Sequence, residues 1–248
     1  MKKIIFWTAL ISILGLLIGA CAKRSAEEAT TAHVESCDDT TASGSITIGS
    51  DTASGTYLHL TSNESYNSLS ATGCDDVSSR SANPYHPTGT NSILKKKIIT
   101  SSTSFVDHVS YYSDTACTSR LGYLEKKYSN LSVGDTVSGL DNSSGGRPTS
   151  GYRVTYNEDC AKIMGDTDAA TDAFNRTLAS YQMLEPMTTG TEKVFSLGFA
   201  GQVGLTNYNI WGAGDNGTTF SIYQAMGGSA GYEPSDWDDN SGGATFQK

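Results

Sequence analysis

FVDHVSYYSDTACTSRLGYL, residues 105–124, holds two strand-like runs around a short polar turn that carries Cys117. In the first run Phe105, Val109 and Tyr111 share one face and Val106, His108 and Tyr112 the other, the period of two that extended backbone imposes on side chains. Ser113, Asp114 and Thr115 follow, whose short polar side chains hydrogen-bond nearby backbone and favour a turn. The neighbouring segments repeat this style. The chain therefore reads as a string of β-hairpins, mainly β, closing into an antiparallel barrel or half-barrel with one accessory helix.

Upstream, Ile46 and Ile48 alternate with Thr47, and after a turn at Asp51–Ser54 comes Gly55–Leu60, the other half of a first hairpin. Residues 62–87 read as a long loop punctuated by Gly73, Pro84 and Pro87 and tied down by Cys74. SILKKKIITS, residues 92–101, is apolar at both ends with Lys95, Lys96 and Lys97 between them. Lysines on an exposed or edge strand keep a sheet from pairing with strangers, and that role is preferred here to a basic patch meeting a phosphate or an acidic partner.

Downstream, Leu121–Val133 and Thr136–Leu140 flank a turn at Gly134-Asp135, and residues 141–150 form a flexible loop. Tyr152, Val154 and Tyr156 then alternate with Arg153 and Thr155 in the cleanest strand of the chain, one face of which should be buried. Ala169, Ala170, Ala173, Phe174 and Leu178 fall at helical spacing behind a capping Thr167, which predicts a helix near 167–181 lying across the end or side of the barrel. Phe195, Leu197 and Phe199 share a strand face. Asn207–Trp211 and Thr218–Ala225 flank the hairpin turn Asn216-Gly217. The β domain is expected over 45–226, with 227–248 as an acidic, Gly-rich tail.

The chain opens with two lysines and an apolar run, KKIIFWTALISILGLLIG, laid out as a secretory signal peptide rather than a membrane helix, because the run is so short and its flank so small. Ile18-Gly19-Ala20-Cys21 resembles the lipobox of bacterial lipoproteins. The resemblance implies cleavage after residue 20, acylation of Cys21, and a localisation in the bacterial cell envelope, with Ala22 favouring the outer membrane. At about 0.8 kcal/mol per buried methylene, such an anchor holds the protein to its membrane partner permanently. Residues 21–44 read as a flexible tether. Loss of Lys2 and Lys3 reduces 17 basic residues to 15 against 26 acidic ones, so the mature net charge is −11, which argues against nucleic acid as a partner. Four cysteines remain beside Cys21: Cys37, Cys74, Cys117 and Cys160. Their even number in an exported chain predicts two disulfides with three connectivities open, and the absence of any C-x-x-C pair disfavours zinc.

YYSDTACTSRLGYL, residues 111–124, resembles the recurring "YSD, two residues, Cys" element of bacterial surface lipoproteins with a lipocalin-like (calycin-like) domain. A related element occurs in the ectodomain of the vertebrate Wnt inhibitor named for its down-regulation by the adenomatosis polyposis coli protein. The hairpin NYNIWGAGDNGTTFSIY, residues 207–223, is similar in placement to the closing strands of that family, and together the two stretches cover about an eighth of the chain. The resemblance implies a lipid-binding role.

The sequence holds no G-x-S-x-G elbow, H-E-x-x-H, phosphate loop or C-x-x-C, and its histidines, His33, His59, His86 and His108, are scattered. Asp236, Asp238 and Asp239 do not match a calcium loop and read as solvated. No enzyme, cofactor or metal is expected. Two functions remain. The first is a lipid-anchored binding module for an apolar small molecule or acyl chain, lined by Phe105, Val109, Tyr111, Tyr152, Val154, Tyr156, Phe195, Leu197, Phe199 and Phe220. The second is a structural or adhesive surface lipoprotein with a solid β core.

Overall fold

The computed structural model describes residues 37, 40–60, 73–79, 86–141, 148–180, 186–195, 204–215, 220–225, 234–237 and 244–248. The signal segment, Cys21, most of the tether, Leu197, Phe199 and the Asn216-Gly217 turn lie outside them. Twelve strands and one helix are present among the described residues: β1 (Ser45–Ile48), β2 (Asp51–Ser54), β3 (Thr56–His59), β4 (Cys74–Asp76), β5 (Ser92–Ile99), β6 (Phe105–Tyr112), β7 (Arg120–Ser138), β8 (Ser150–Gly165), α1 (Asp168–Ser180), β9 (Lys193–Phe195), β10 (Thr206–Asp215), β11 (Phe220–Gln224) and β12 (Ala244–Gln247). Eight of these strands close a ring. In chain order β3, β5, β6, β7, β8, β10, β11 and β12 each pair antiparallel with the next, and β12 returns to β3 through Phe246 opposite His59 and Gln247 opposite Leu58. The result is a closed up-and-down barrel; among the described residues its edges are the short appendages β4 on β5 and β9 on β8.

The central hairpin is β6 and the start of β7, running from Phe105 opposite Tyr128 to Tyr112 opposite Arg120. Its turn is fixed by Asp114, whose carboxylate accepts the backbone N–H groups of Ala116, Thr118 and Ser119 at 2.5–3.2 Å. Desolvation raises its pKa, and these hydrogen bonds together outweigh it and bring Asp114 down to about 2. Cys117 takes a positive φ of 55° there and is bridged to Cys74, while Cys37 is bridged to Cys160. Both disulfides are thus present, and one of the three connectivities is selected.

Several expectations are corrected. Ile46 and Ile48 do not pair with the 55–60 segment: Asp51–Ser54 is itself a strand, and β1–β2 forms a separate two-stranded sheet. The 62–87 loop contains β4. Gly134-Asp135 makes no turn, since β7 runs through it, absorbing register shifts between Ser129 and Ser132 and between Val133 and Thr136. The acidic tail is not a tail, because Ala244–Gln247 supplies the closing strand and Trp237 is fully buried, its indole Nε1 donating to the Pro148 carbonyl at 2.7 Å. The tether ends earlier than expected. Cys37 is buried, and the Gly44 N–H bonds the Ile99 carbonyl at 3.3 Å, so the segment before β1 docks on the barrel.

The two ends of the ring are closed differently. At one, β1–β2 packs Ile46, Ile48 and Ala53 against Tyr57, Tyr156 and Trp211. At the other lies α1, whose start is capped by Thr167 Oγ1 accepting the Ala170 N–H at 3.2 Å and whose Phe174 and Leu178 pack on Tyr111 and Ile163. The outer wall carries His108, Glu125, Lys127, Arg153 and Lys162, which is unlike the apolar band of a barrel that faces lipid.

Candidate functional site

The inside of the barrel is where eight strands converge, and alternation decides what it contains. On β6 the inward face is Phe105, Asp107, Val109 and Tyr111; their cross-strand partners are Ile99, Lys97, Lys95 and Ile93 on β5, and Tyr128, Lys126, Leu124 and Gly122 on β7. The inward set is therefore apolar at each end and charged in the middle. Phe105, Tyr57, Val154, Tyr156, Trp211, Ile222 and Phe246 belong to one packed cluster, with Tyr128, Tyr152 and Phe220 against it. Tyr111, Ile93, Ile163, Phe174 and Phe195 form the other, with Val109 and Leu124 partly buried beside it.

Between them runs a row of alternating charge. Lys97 on β5 pairs with Asp107 on β6 at 2.5 Å, Asp107 lies opposite Lys126 on β7, and Lys126 pairs with Glu158 on β8 at 2.9 Å. The ends of the row are closed and its middle is open: the side chains of Lys97 and Glu158 are 0% and 4% exposed, those of Asp107 and Lys126 30% and 25%. Lys97 Nζ also sits 4.2 Å from the Phe105 ring centre and 4.9 Å from those of Trp211 and Phe246, so three ring faces and one carboxylate replace its water. Burial pushes the Lys97 ammonium below its ordinary pKa, opposed by Asp107. Burial, with Asp107 nearby, pushes the Tyr128 and Tyr156 phenols well up.

The far wall is polar as well. Asn209, Trp211 and Gln224 occupy inward positions on β10 and β11, with Trp211 opposite Gln224. The Asn209 amide donates to the Ala225 carbonyl at 3.0 Å. Asn209 Oδ1, Trp211 Nε1 and Gln224 Oε1 are buried and have no hydrogen-bond partner among the described residues. Leaving such groups unsatisfied costs about 1–3 kcal/mol each, which an occupant able to donate and accept would recover.

The ten residues expected as an apolar lining are thus divided. Phe105, Tyr152, Val154, Tyr156 and Phe220 belong to the cluster under β1–β2, and Val109, Tyr111 and Phe195 to the cluster under α1; Leu197 and Phe199 lie outside the described residues. The charged row lies between the two clusters, so the eight described residues do not form one unbroken apolar surface. The edge-strand reading of the lysines is overturned, since β5 is flanked by β3 and β6 and Lys97 points inward. The signal was in the alternation itself: Asp107 shares its face with Phe105, Val109 and Tyr111.

A second polar group lies on the outer wall. His108 Nδ1 is 3.0 Å from Glu125 Oε2 and its Nε2 is 2.8 Å from Ser110 Oγ, with the ring stacked on Tyr123. The order resembles a nucleophile, base and acid, yet Ser110 is 3% exposed and β6 pairs on both sides, so its N–H groups are committed to ladders and cannot stabilise an oxyanion. Among the described residues no group of three or more His, Cys, Asp or Glu side chains is placed to hold a metal. Asp236 instead accepts the backbone N–H groups of Asp141 and Trp237. No protein-family model matches the chain, and no curated protein matches it.

Proposed function

We propose that this protein is a binding module held to the bacterial envelope by a lipidated Cys21, and that its barrel takes up a small amphipathic molecule such as an acyl chain with a polar head. The observation that carries this reading is the residual exposure of inward-facing Asp107 and Lys126. An inward side chain that remains accessible borders unfilled space, and a barrel of eight strands is wide enough for one small ligand. Val109 and Leu124, partly buried between the charged row and the α1 cluster, give that space an apolar side. The aromatic cluster under β1–β2 is buried and serves as a floor rather than as cavity wall.

The lipobox at Ile18–Cys21 and the likeness of residues 111–124 to lipocalin-like lipoproteins support the same reading from the sequence. Protein extracted from membranes should carry apolar or amphipathic material into native mass spectrometry, and fatty acyl probes should quench the buried Trp211. Protein that is empty after extraction and silent to the probes would leave the structural role instead. Replacing Cys21 by Ser should remove the acyl mass and shift the protein from the detergent phase to the aqueous phase.

A further inference from the structure

We propose that the middle of the barrel is a subsite for an uncharged, hydroxyl-bearing head group, as on a fatty alcohol or a monoacylglycerol; this rests on the binding-module reading above. The row of charges does not itself select a charged head, because its cations already hold carboxylates: Lys97 is paired with Asp107 and Lys126 with Glu158. In number, too, the inward lysines of β5 and β7, Lys95, Lys97 and Lys126, are matched by the inward carboxylates Asp75, Asp107 and Glu158 on β4, β6 and β8. A charged occupant would lose its hydration and gain only a share of a charge that is already paired, whereas an uncharged one meets neither cost.

The groups that lack a partner are on the facing wall. In the ring of eight each strand faces the fourth along, so β5 looks across to β10, as the 4.9 Å from Lys97 Nζ to the Trp211 ring centre shows, and β6 looks across to β11. Gln224 on β11 therefore lies across the interior from Asp107, and the partial exposure of Asp107 and Lys126 marks open space beside the row. Asn209, buried two residues before Trp211 on the same inward face, gives its NH2 to the Ala225 carbonyl, which fixes the amide and leaves Oδ1 as its acceptor. Gln224 Oε1 is a second acceptor and Trp211 Nε1 is a donor only; none of the three atoms has a partner among the described residues. A carboxylate or an ester serves the indole but has no hydrogen for the amide oxygens, and an ammonium serves the amides but not the indole. A hydroxyl both donates and accepts, so one such group, or two adjacent ones, suits all three. The aliphatic part then has the apolar side given by Val109 and Leu124.

The test is direct binding to the purified full chain of four probes: monolauroylglycerol, dodecanol, methyl laurate and laurate. A hydroxyl probe should bind about ten- to a hundredfold more tightly than methyl laurate, because an analogue without the donor leaves buried oxygens unpaired, and more tightly than laurate as well. Preference for monolauroylglycerol over dodecanol assigns the site to glyceryl lipids, and equal or higher affinity for dodecanol assigns it to simple alcohols. Gln224→Met keeps the length of a half-buried side chain and removes its oxygen; it should lower the ratio to methyl laurate severalfold, and Asn209→Leu should do the same. The ratio in the unaltered protein is the primary reading and needs no variant to fold. Methyl laurate or laurate binding as tightly as both hydroxyl probes, or a ratio that survives both substitutions, overturns the subsite but leaves the binding module standing. Failure of all four probes to bind overturns the binding module itself.

Discussion

Lys97 is held by a carboxylate that still reaches solvent, so its two ways of being disrupted differ. Asp107→Asn leaves a fully buried ammonium without its counter-charge and should destabilise the protein by about 3–5 kcal/mol. Lys97→Met fills a similar volume with apolar atoms against Phe105, Trp211 and Phe246, and the Asp107 left behind can hydrate; its cost should stay within about 1–2 kcal/mol. Chemical denaturation of both variants checks the order, and equal losses would mean that the pair is not buried as the geometry requires. Titration at alkaline pH bears on the same interior. Tyr57, Tyr111, Tyr123, Tyr128, Tyr156 and Tyr223 all have raised pKa values, burial being the first cause at each, with Tyr111 at about 12. A phenol raised in the folded state contributes stability that is complete below the unfolded pKa of about 10 and is lost as pH rises through the folded value. Lys97, a base with a lowered pKa, works the other way, its penalty being relieved as pH approaches about 10.4. Six tyrosines outweigh one lysine. Denaturant midpoints should fall steadily above about pH 10, with the tyrosinate absorbance of these six phenols appearing as the protein unfolds.

β12 shows how much of the barrel depends on one short element. It pairs with β11 along its whole length and with β3 at Phe246 and Gln247, and every one of its side chains is buried. Removing residues 244–248 opens the ring and leaves β3 and β11 as unpaired edges, which are templates for pairing with other chains. The truncated protein should leave the monomer peak in size exclusion and lose cooperative unfolding, whereas loss of a mere tail would change neither. The β1–β2 hairpin is a different kind of element, held by packing rather than by the ladder. Gly49 at its turn has φ of 64° and lies against the Tyr152 ring, so a side chain there would be strained and would meet that ring.

The two disulfides act on the molecule as a whole, closing chain separations of 123 and 43 residues. Loop entropy assigns each about 4–5 kcal/mol, and measured bridges typically give 2–4 kcal/mol. Cys74→Ser with Cys117→Ser should therefore lower stability by about 2–4 kcal/mol, and Cys37→Ser with Cys160→Ser should also release the segment before β1 from β8. Thiol labelling of unreduced, unfolded protein should find none of these four cysteines free. Labelling at two of them would contradict one bridge, and labelling at all four would contradict both.

By itself the sequence determined the local geometry of this protein. Alternation at 105–112 and 151–157 specified strands, Asp114 a turn, and Thr167 with its 3.6-residue pattern a helix, because each is a property of neighbouring residues. An even set of cysteines behind a signal-like opening also predicted that bridges would form, though not which. The tertiary structure alone decided that the Gly-rich C-terminal stretch closes the ring, that β1–β2 plugs it, and that a lysine on β5 lies among rings from β6, β10 and β12. Register and closure bring together residues far apart in the chain, and whether an alternating charge ends inside or outside depends on that closure rather than on its own segment. Lys97 and Lys96 are adjacent in sequence, yet the curl of the barrel put one against Asp107 in the interior and the other on the outer wall beside the row that holds His108.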